Sequence, residues 1–191
     1  GYYPVGSEVH VSLLLRDLAW GMDDPLFVRT DRSIRAALGD DLYGIDGETL
    51  ASSVGRLLQE RGLVLGIAES CTGGLLSSTV TGVAGSSGWF AGGIVAYANG
   101  VKESLLGVEA ELLARCGAVS GETARAMAAG AAARLGCDLA VAVTGIAGPG
   151  GGTAEKPVGT VHIGLHQSGR TSDQRFRFSG TRRQVQEKTT H

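Results

Sequence analysis

No stretch of this 191-residue chain approaches the roughly 18 consecutive apolar residues that a membrane helix needs. No secretory leader is visible, and the opening Gly1-Tyr2-Tyr3-Pro4 lacks a starting Met. Cysteine is scarce. Cys71, Cys116 and Cys137 are odd in number and widely spaced, so they make neither a disulfide framework nor a CxxC metal or redox motif. Such usage fits a reducing compartment, and a cytoplasmic location is expected. A basic excess is also missing. The net charge is −2, which argues against a general nucleic-acid binder. Charge is nonetheless uneven: residues 1–60 carry ten acids and five bases, whereas residues 167–191 carry six bases and two acids. That basic tail reads as a solvated strand pair and the start of a helix.

Several catalytic signatures are absent too. There is no GxSxG elbow, no GxGxxG dinucleotide loop and no GxxxxGK[ST] phosphate loop. His162 and His166 fall on an expected strand, where a spacing of four separates them by roughly 13 Å. That is too far for two ~2 Å bonds to one zinc, so no metal and no cofactor is expected.

What is present is an ordinary globular composition, 43% hydrophobic and 19% charged. Two segments separate near Gly47. The first holds a short strand by alternation over Gly6–Arg16, a helical stretch with Ile34, Ala37 and Leu38 on one side, and a turn-rich 39–44. It is too short to bury a core by itself. From Thr49 onward helices and apolar strands alternate. Leu50, Val54, Leu57 and Leu58 recur at helical spacing, and strands are expected at 63–68, 93–97 and 139–143. Helices are expected at 101–106 and 122–135, followed by a strand–turn–strand at 159–165 and 175–178. This order implies an α/β class fold: a layered α/β/α domain with a mostly parallel sheet, preceded by a fragment of a small α+β domain.

Three polar, glycine-rich segments lie just past the carboxyl ends of expected strands: Ser70, Tyr97–Lys102 and Thr144–Gly152. In open α/β sheets that edge is where ligands bind. Ser70 has two readings, a helix N-cap or a nucleophile at a strand-to-helix turn. Gly73 and Gly74 would let a substrate approach the backbone, and amides at the helix start would stabilise an oxyanion. No histidine falls in the three segments, and Lys102 is the only lysine before Lys156. If Ser70 is a nucleophile, Lys102 is its natural base. About one lysine in a few thousand is neutral at pH 7 at the ordinary pKa, so Lys102 must be shifted downward by burial. Cys71 is the rival nucleophile. The 144–152 loop, with five glycines in nine positions, offers amides to phosphate or carboxylate.

Taken together, Ala68-Glu69-Ser70-Cys71-Thr72-Gly73-Gly74, Tyr97-Ala98-Asn99 with Lys102, Gly117–Ser120, Thr144–Pro149 and Glu155–Val161 resemble the C-terminal domain of CinA-type (competence/damage-inducible) proteins, the nicotinamide mononucleotide deamidase family. The resemblance covers about residues 48–180, and residues 1–47 resemble the tail of the KH-type domain that precedes it. On this basis the domains are 1–47 and 48–191, the latter with a shortened C-terminal helix. Gly100 and Gly150 depart from the residues usual in relatives. The resemblance implies hydrolysis of nicotinamide mononucleotide to nicotinate mononucleotide and ammonia, in pyridine nucleotide recycling. It implies Ser70, Lys102 and Tyr97 as catalytic residues. Substrate contacts are expected from Glu69, Thr72, Gly73, Gly74, Asn99, Thr144, Gly145, Ala147 and Gly148. A small-molecule substrate and a homodimer or higher homo-oligomer are the expected partners, with no membrane or nucleic acid. The alternative from another class is a non-catalytic regulatory module in competence or DNA-damage response.

Overall fold

A computed structural model describes residues 1–5, 8–14, 16 and 21–191, which divide into two compact units, Gly1–Ser53 and Val54–His191. In the first unit β1 (Tyr2–Val5) pairs antiparallel with β2 (Glu8–Val11). The strand expected over Gly6–Arg16 is therefore shorter, and Gly6, Ser7 and Leu15 lie outside the described residues. Helix α1 (Pro25–Leu38) starts where Asp24 accepts the Leu26 amide at 2.9 Å and Pro25 pre-sets the first φ. None of its residues is buried.

The division between units falls inside α2 (Leu50–Arg61). Leu58 of that helix is buried, whereas Val54 and Leu57 are exposed. The helical spacing correctly marks a helix but overstates its buried face.

The second unit is built on a five-stranded sheet: β3 (Leu65–Glu69), β4 (Phe90–Val95), β5 (Leu139–Gly145), β6 (Thr160–Gln167) and β7 (Arg170–Arg177), in the order β4-β3-β5-β6-β7. The β4-β3 and β3-β5 pairings are parallel, and β5-β6 and β6-β7 are antiparallel. All five residues of β3 are buried: residues 65–68 are apolar, as a strand covered on both faces requires, and Glu69 ends it. At the far edge β7 begins five residues earlier than its apolar residues suggest. Ser168 (φ 50°) and Gly169 (φ 74°) close a two-residue hairpin turn with both φ positive, and the strand after it is polar and exposed. Arginines along an edge strand discourage pairing with other chains.

The remaining helices are α3 (Leu75–Thr81), α4 (Asn99–Leu106), α5 (Ala110–Cys116), α6 (Gly121–Leu135) and α7 (Arg182–Thr190). One face of the sheet packs Ala68, Ala140 and Ala142 against Met127, Ala128 and Ala131 of α6, with Leu106 and Leu113 beside them. Small residues bring the layers close: a Cβ on Gly130 would lie 1.9 Å from the Leu106 carbonyl oxygen. The other face packs Leu65 and Ile67 against Leu58, Val80 and Trp89, and Val161 against Cys71 and Val185. The layered α/β arrangement is the expected one, with the antiparallel β6-β7 hairpin extending its parallel half. Among the described residues no helix is long and apolar enough to cross a membrane.

Candidate active site

Parallel register sets the site. Glu69, the last residue of β3, is paired with Val95 of β4 on one side and Val143 of β5 on the other. The next residues therefore emerge side by side. The Ser70 amide donates to the Val143 carbonyl at 2.9 Å, and the Ala96 amide donates to the Glu69 carbonyl at 2.7 Å.

Ser70 is not an N-cap. Helix α3 starts at Leu75 with Gly74 in the capping position, and residues 71–74 form an intervening turn. Gly73 (φ 63°) and Gly74 (φ 102°) take the left-handed region, where a side chain would be strained, and no atom lies within 4 Å of where a Gly73 Cβ would be. Ser70 itself is largely buried, with 8% of its surface exposed.

Lys102, in the first turn of α4, is fully buried. Its Nζ lies 3.1 Å from Ser70 Oγ, 2.8 Å from the Ala96 carbonyl oxygen and 3.0 Å from the Tyr97 carbonyl oxygen. No carboxylate among the described residues forms an ion pair with it. Burial accordingly pushes its pKa below the ordinary lysine value, the neighbouring Cys71 thiol opposing weakly. A neutral amine has two N–H bonds and one lone pair. With the two N–H groups on the carbonyls of residues 96 and 97, the lone pair is left facing Ser70.

Cys71 sits beside this pair with the opposite electrostatics. Burial pushes its thiol pKa up to about 11, so it stays protonated at neutral pH. Its side chain packs with Ala147, Val161 and Val185. Both features favour Ser70 over Cys71 as the nucleophile.

Other expected contacts are redistributed. Glu69 is fully buried, and its carboxylate accepts from the amides of Gly74, Leu76 and Ser77 and from the Ser77 hydroxyl. Its carboxylate is occupied by the start of α3. The same bonds correct the expectation that helix-start amides form an oxyanion hole: those amides are taken. The Gly73 amide donates to the Ser70 carbonyl at 3.2 Å, and that of Leu75 to Thr72 at 3.2 Å. Among the turn's donors this leaves the amides of Cys71 and Thr72. The Thr72 hydroxyl is buried and has no partner.

Thr144 belongs to β5, not to a loop, and its hydroxyl donates to the Ala118 carbonyl at 2.6 Å. Gly145 is also in the strand, where a Cβ would crowd the Thr160 carbonyl oxygen and Cys71 Sγ. Ala147 is in the core. These three pack the end of β5 against neighbouring segments. Lys156 donates to the Cys116 carbonyl at 2.8 Å. Asn99 is exposed at the first residue of α4. His162 faces Asp173, its Nδ1 3.5 Å from that carboxylate, which also pairs with Arg125. Among the described residues no group of three or more His, Cys, Asp or Glu is placed to hold a metal.

Arg182 is the residue that sequence reasoning missed. At the first position of α7, after a Thr181/Gln184 capping box, it donates to the Tyr97 phenol oxygen at 3.0 Å and to the Gly148 carbonyl at 2.8 Å. Tyr97 thus meets Lys102 through its carbonyl, while its phenol belongs to the arginine. Gln186, one turn on, donates to the Cys71 carbonyl at 2.9 Å and fastens α7 over the Ser70 turn. The only sequence signal for any of this was the basic tail.

Comparison with known proteins gives a consistent result. Residues 47–191 match the family described as the CinA C-terminal domain. A CinA-like protein of Desulfotalea psychrophila is 48% identical over 187 residues, covering 98% of this chain and 45% of that protein. A CinA-like protein of Synechocystis is 57% identical over 132 residues, covering 69% of this chain and 32% of that protein. The chain thus spans less than half the length of these curated relatives. The crystal structure of competence/damage inducible protein CihA from Agrobacterium tumefaciens aligns with a TM-score of 0.73 at 44% identity, over 78% of this chain and 92% of that one. The competence damage-inducible protein A (ComA) of Klebsiella pneumoniae aligns with a TM-score of 0.72 at 38% identity, over 74% and 88%.

Proposed function

This chain belongs to the CinA C-terminal domain family, and from that premise we propose that it is a serine amidohydrolase acting on the carboxamide of nicotinamide mononucleotide. The observation that carries the chemistry is the buried Lys102 Nζ at 3.1 Å from Ser70 Oγ, with two backbone carbonyls as its other partners. The substrate comes from the family resemblance; the dyad supplies amide hydrolysis.

Neutral Lys102 takes the Ser70 proton as Oγ attacks the carboxamide carbon. The carbonyl oxygen becomes an oxyanion held by the amides of Cys71 and Thr72. As the C–N bond breaks, Lys102 returns the proton to the nitrogen and ammonia leaves. A nicotinoyl ester on Ser70 remains. Water adds to it with Lys102 again as base, giving nicotinate and restoring the hydroxyl. Arg182 places a permanent positive charge at the rim beside Tyr97, suited to the phosphate of a mononucleotide.

An assay of ammonia release tests this reading. Nicotinamide mononucleotide should be turned over and free nicotinamide, which lacks the phosphate, much more slowly. Ser70→Ala should lose the activity and remain folded. Undiminished turnover by that variant would sink the assignment.

A further inference from the structure

Glu69 poses a question that the catalytic dyad leaves open. A carboxylate with no exposed surface, one residue before the nucleophile, is costly unless every lone pair is used. Here it is: Oε2 accepts from the amides of Gly74 (3.0 Å) and Leu76 (3.1 Å), and Oε1 from the amide (2.8 Å) and hydroxyl (2.6 Å) of Ser77. The negative charge rests on the positive end of α3 and on its otherwise orphaned donors.

A third element is fitted to this arrangement. A Cβ on Gly93 of β4 would lie 2.0 Å from Ser77 Oγ and 2.9 Å from Ser77 Cβ. Glycine at 93 is what allows the serine to stand against the sheet and reach Glu69. The carboxylate on β3, the hydroxyl on α3 and the glycine on β4 make one interlocked unit. The turn 70–74 spans from its strand end to its helix end, so both ends of the nucleophile's loop are tied to one side chain.

Building on the amidohydrolase reading, we propose that Glu69 is the positioning residue of the reaction: through Ser77 and Gly93 it holds the Ser70 turn so that Oγ faces Lys102 and the amides of Cys71 and Thr72 stay open for the oxyanion. By consuming the α3 amides it also keeps the oxyanion from a second, unproductive cradle one turn away. Glu69 touches no reacting atom.

The test uses Glu69→Gln, which keeps the shape but turns an NH2 group toward donors, and Gly93→Ala, which displaces Ser77 from a different strand. Both are compared with the unaltered chain. One readout is steady-state deamidation of nicotinamide mononucleotide, with binding sites counted by calorimetric titration. The other is the labelling rate of Ser70 by a fluorophosphonate, which needs no knowledge of the substrate. For both variants kcat per binding-competent site should fall by about tenfold or more while KM moves less than about threefold, and labelling should slow in parallel. A merely structural role would lower melting temperature and the number of competent sites, leaving kcat per site and the labelling rate unchanged. That outcome overturns the proposal. Should Glu69→Gln not fold, Ser77→Ala removes one donor and keeps the charge capped by three amides, and a several-fold slower labelling is expected; an unchanged rate overturns it. If the unaltered chain is labelled at Ser70 yet releases no ammonia from the nucleotide, the substrate reading fails while the positioning claim is still decided by the labelling rates.

Discussion

Removing the Lys102 ammonium from water without a carboxylate to meet it disfavours the charged form, and the same effect raises the share of neutral amine that can act as a base. The sign follows directly. The proposed mechanism needs the neutral form, so kcat/KM should rise with pH along a limb centred below the ordinary lysine value. A limb at that ordinary value would contradict the buried geometry. Lys102→Arg, which cannot be deprotonated, should be as inactive as Lys102→Ala, each losing about 10²–10⁴ in rate. The linkage to stability has a definite direction as well. With its folded pKa depressed, Lys102 binds fewer protons in the folded chain than in the unfolded one between the two values. The penalty is therefore present at neutral pH and fades as pH rises toward the ordinary lysine value. Denaturant titrations at a series of pH values should show the unaltered chain gaining on Lys102→Met as pH increases. Cys71, protonated and packed in the core, should tolerate Cys71→Ala with activity largely kept, checked by the same ammonia assay.

At the scale of elements, the site depends on how closely helices approach the sheet and each other. Lys102 rides on α4, and the end of α4 rests on Gly130 of α6, where an added methyl would lie 1.9 Å from the Leu106 carbonyl oxygen. Gly130→Ala should cost about 1–3 kcal/mol by overpacking and should also lower kcat, because α4 cannot move without taking the base with it. Thermal melts and turnover measured together would check this. The α7 helix presents Arg182 through a capping box at Thr181 and Gln184. Thr181→Ala should cost about 1 kcal/mol of stability and raise KM more than it lowers kcat, since Arg182 lies at the rim and not at the dyad.

For the whole molecule, the division into Gly1–Ser53 and Val54–His191 assigns every site residue to the second unit. Asp24→Ala removes the cap of α1 in the first unit and should weaken that unit by about 1 kcal/mol, with kcat per site unaltered. A change in kcat would show that the two units cooperate in catalysis.

Composition, strand–helix alternation and the glycine-rich segments were enough to read an α/β layer fold and to bring Ser70, Lys102 and 144–152 to one sheet edge. Those features are local, and β3 in particular declares itself by the apolar run 65–68, buried on both faces, that leads into Glu69. The pairing of Ser70 with Lys102 was also legible, because no histidine was available and the lysine stood by itself. What the sequence did not carry was decided by contacts between distant segments. Glu69 reads as a polar residue near a nucleophile, and only the approach of α3 shows its carboxylate already filled. Ser70 reads equally as a cap until the turn 71–74 separates it from the helix. Thr144, Gly145 and Ala147 look like a ligand loop until strand pairing and core packing claim them. Arg182 is one more arginine in a basic tail until α7 folds back across the sheet to reach Tyr97. Periodicity reports which face of an element is apolar; which polar groups are already satisfied is settled only when the elements meet.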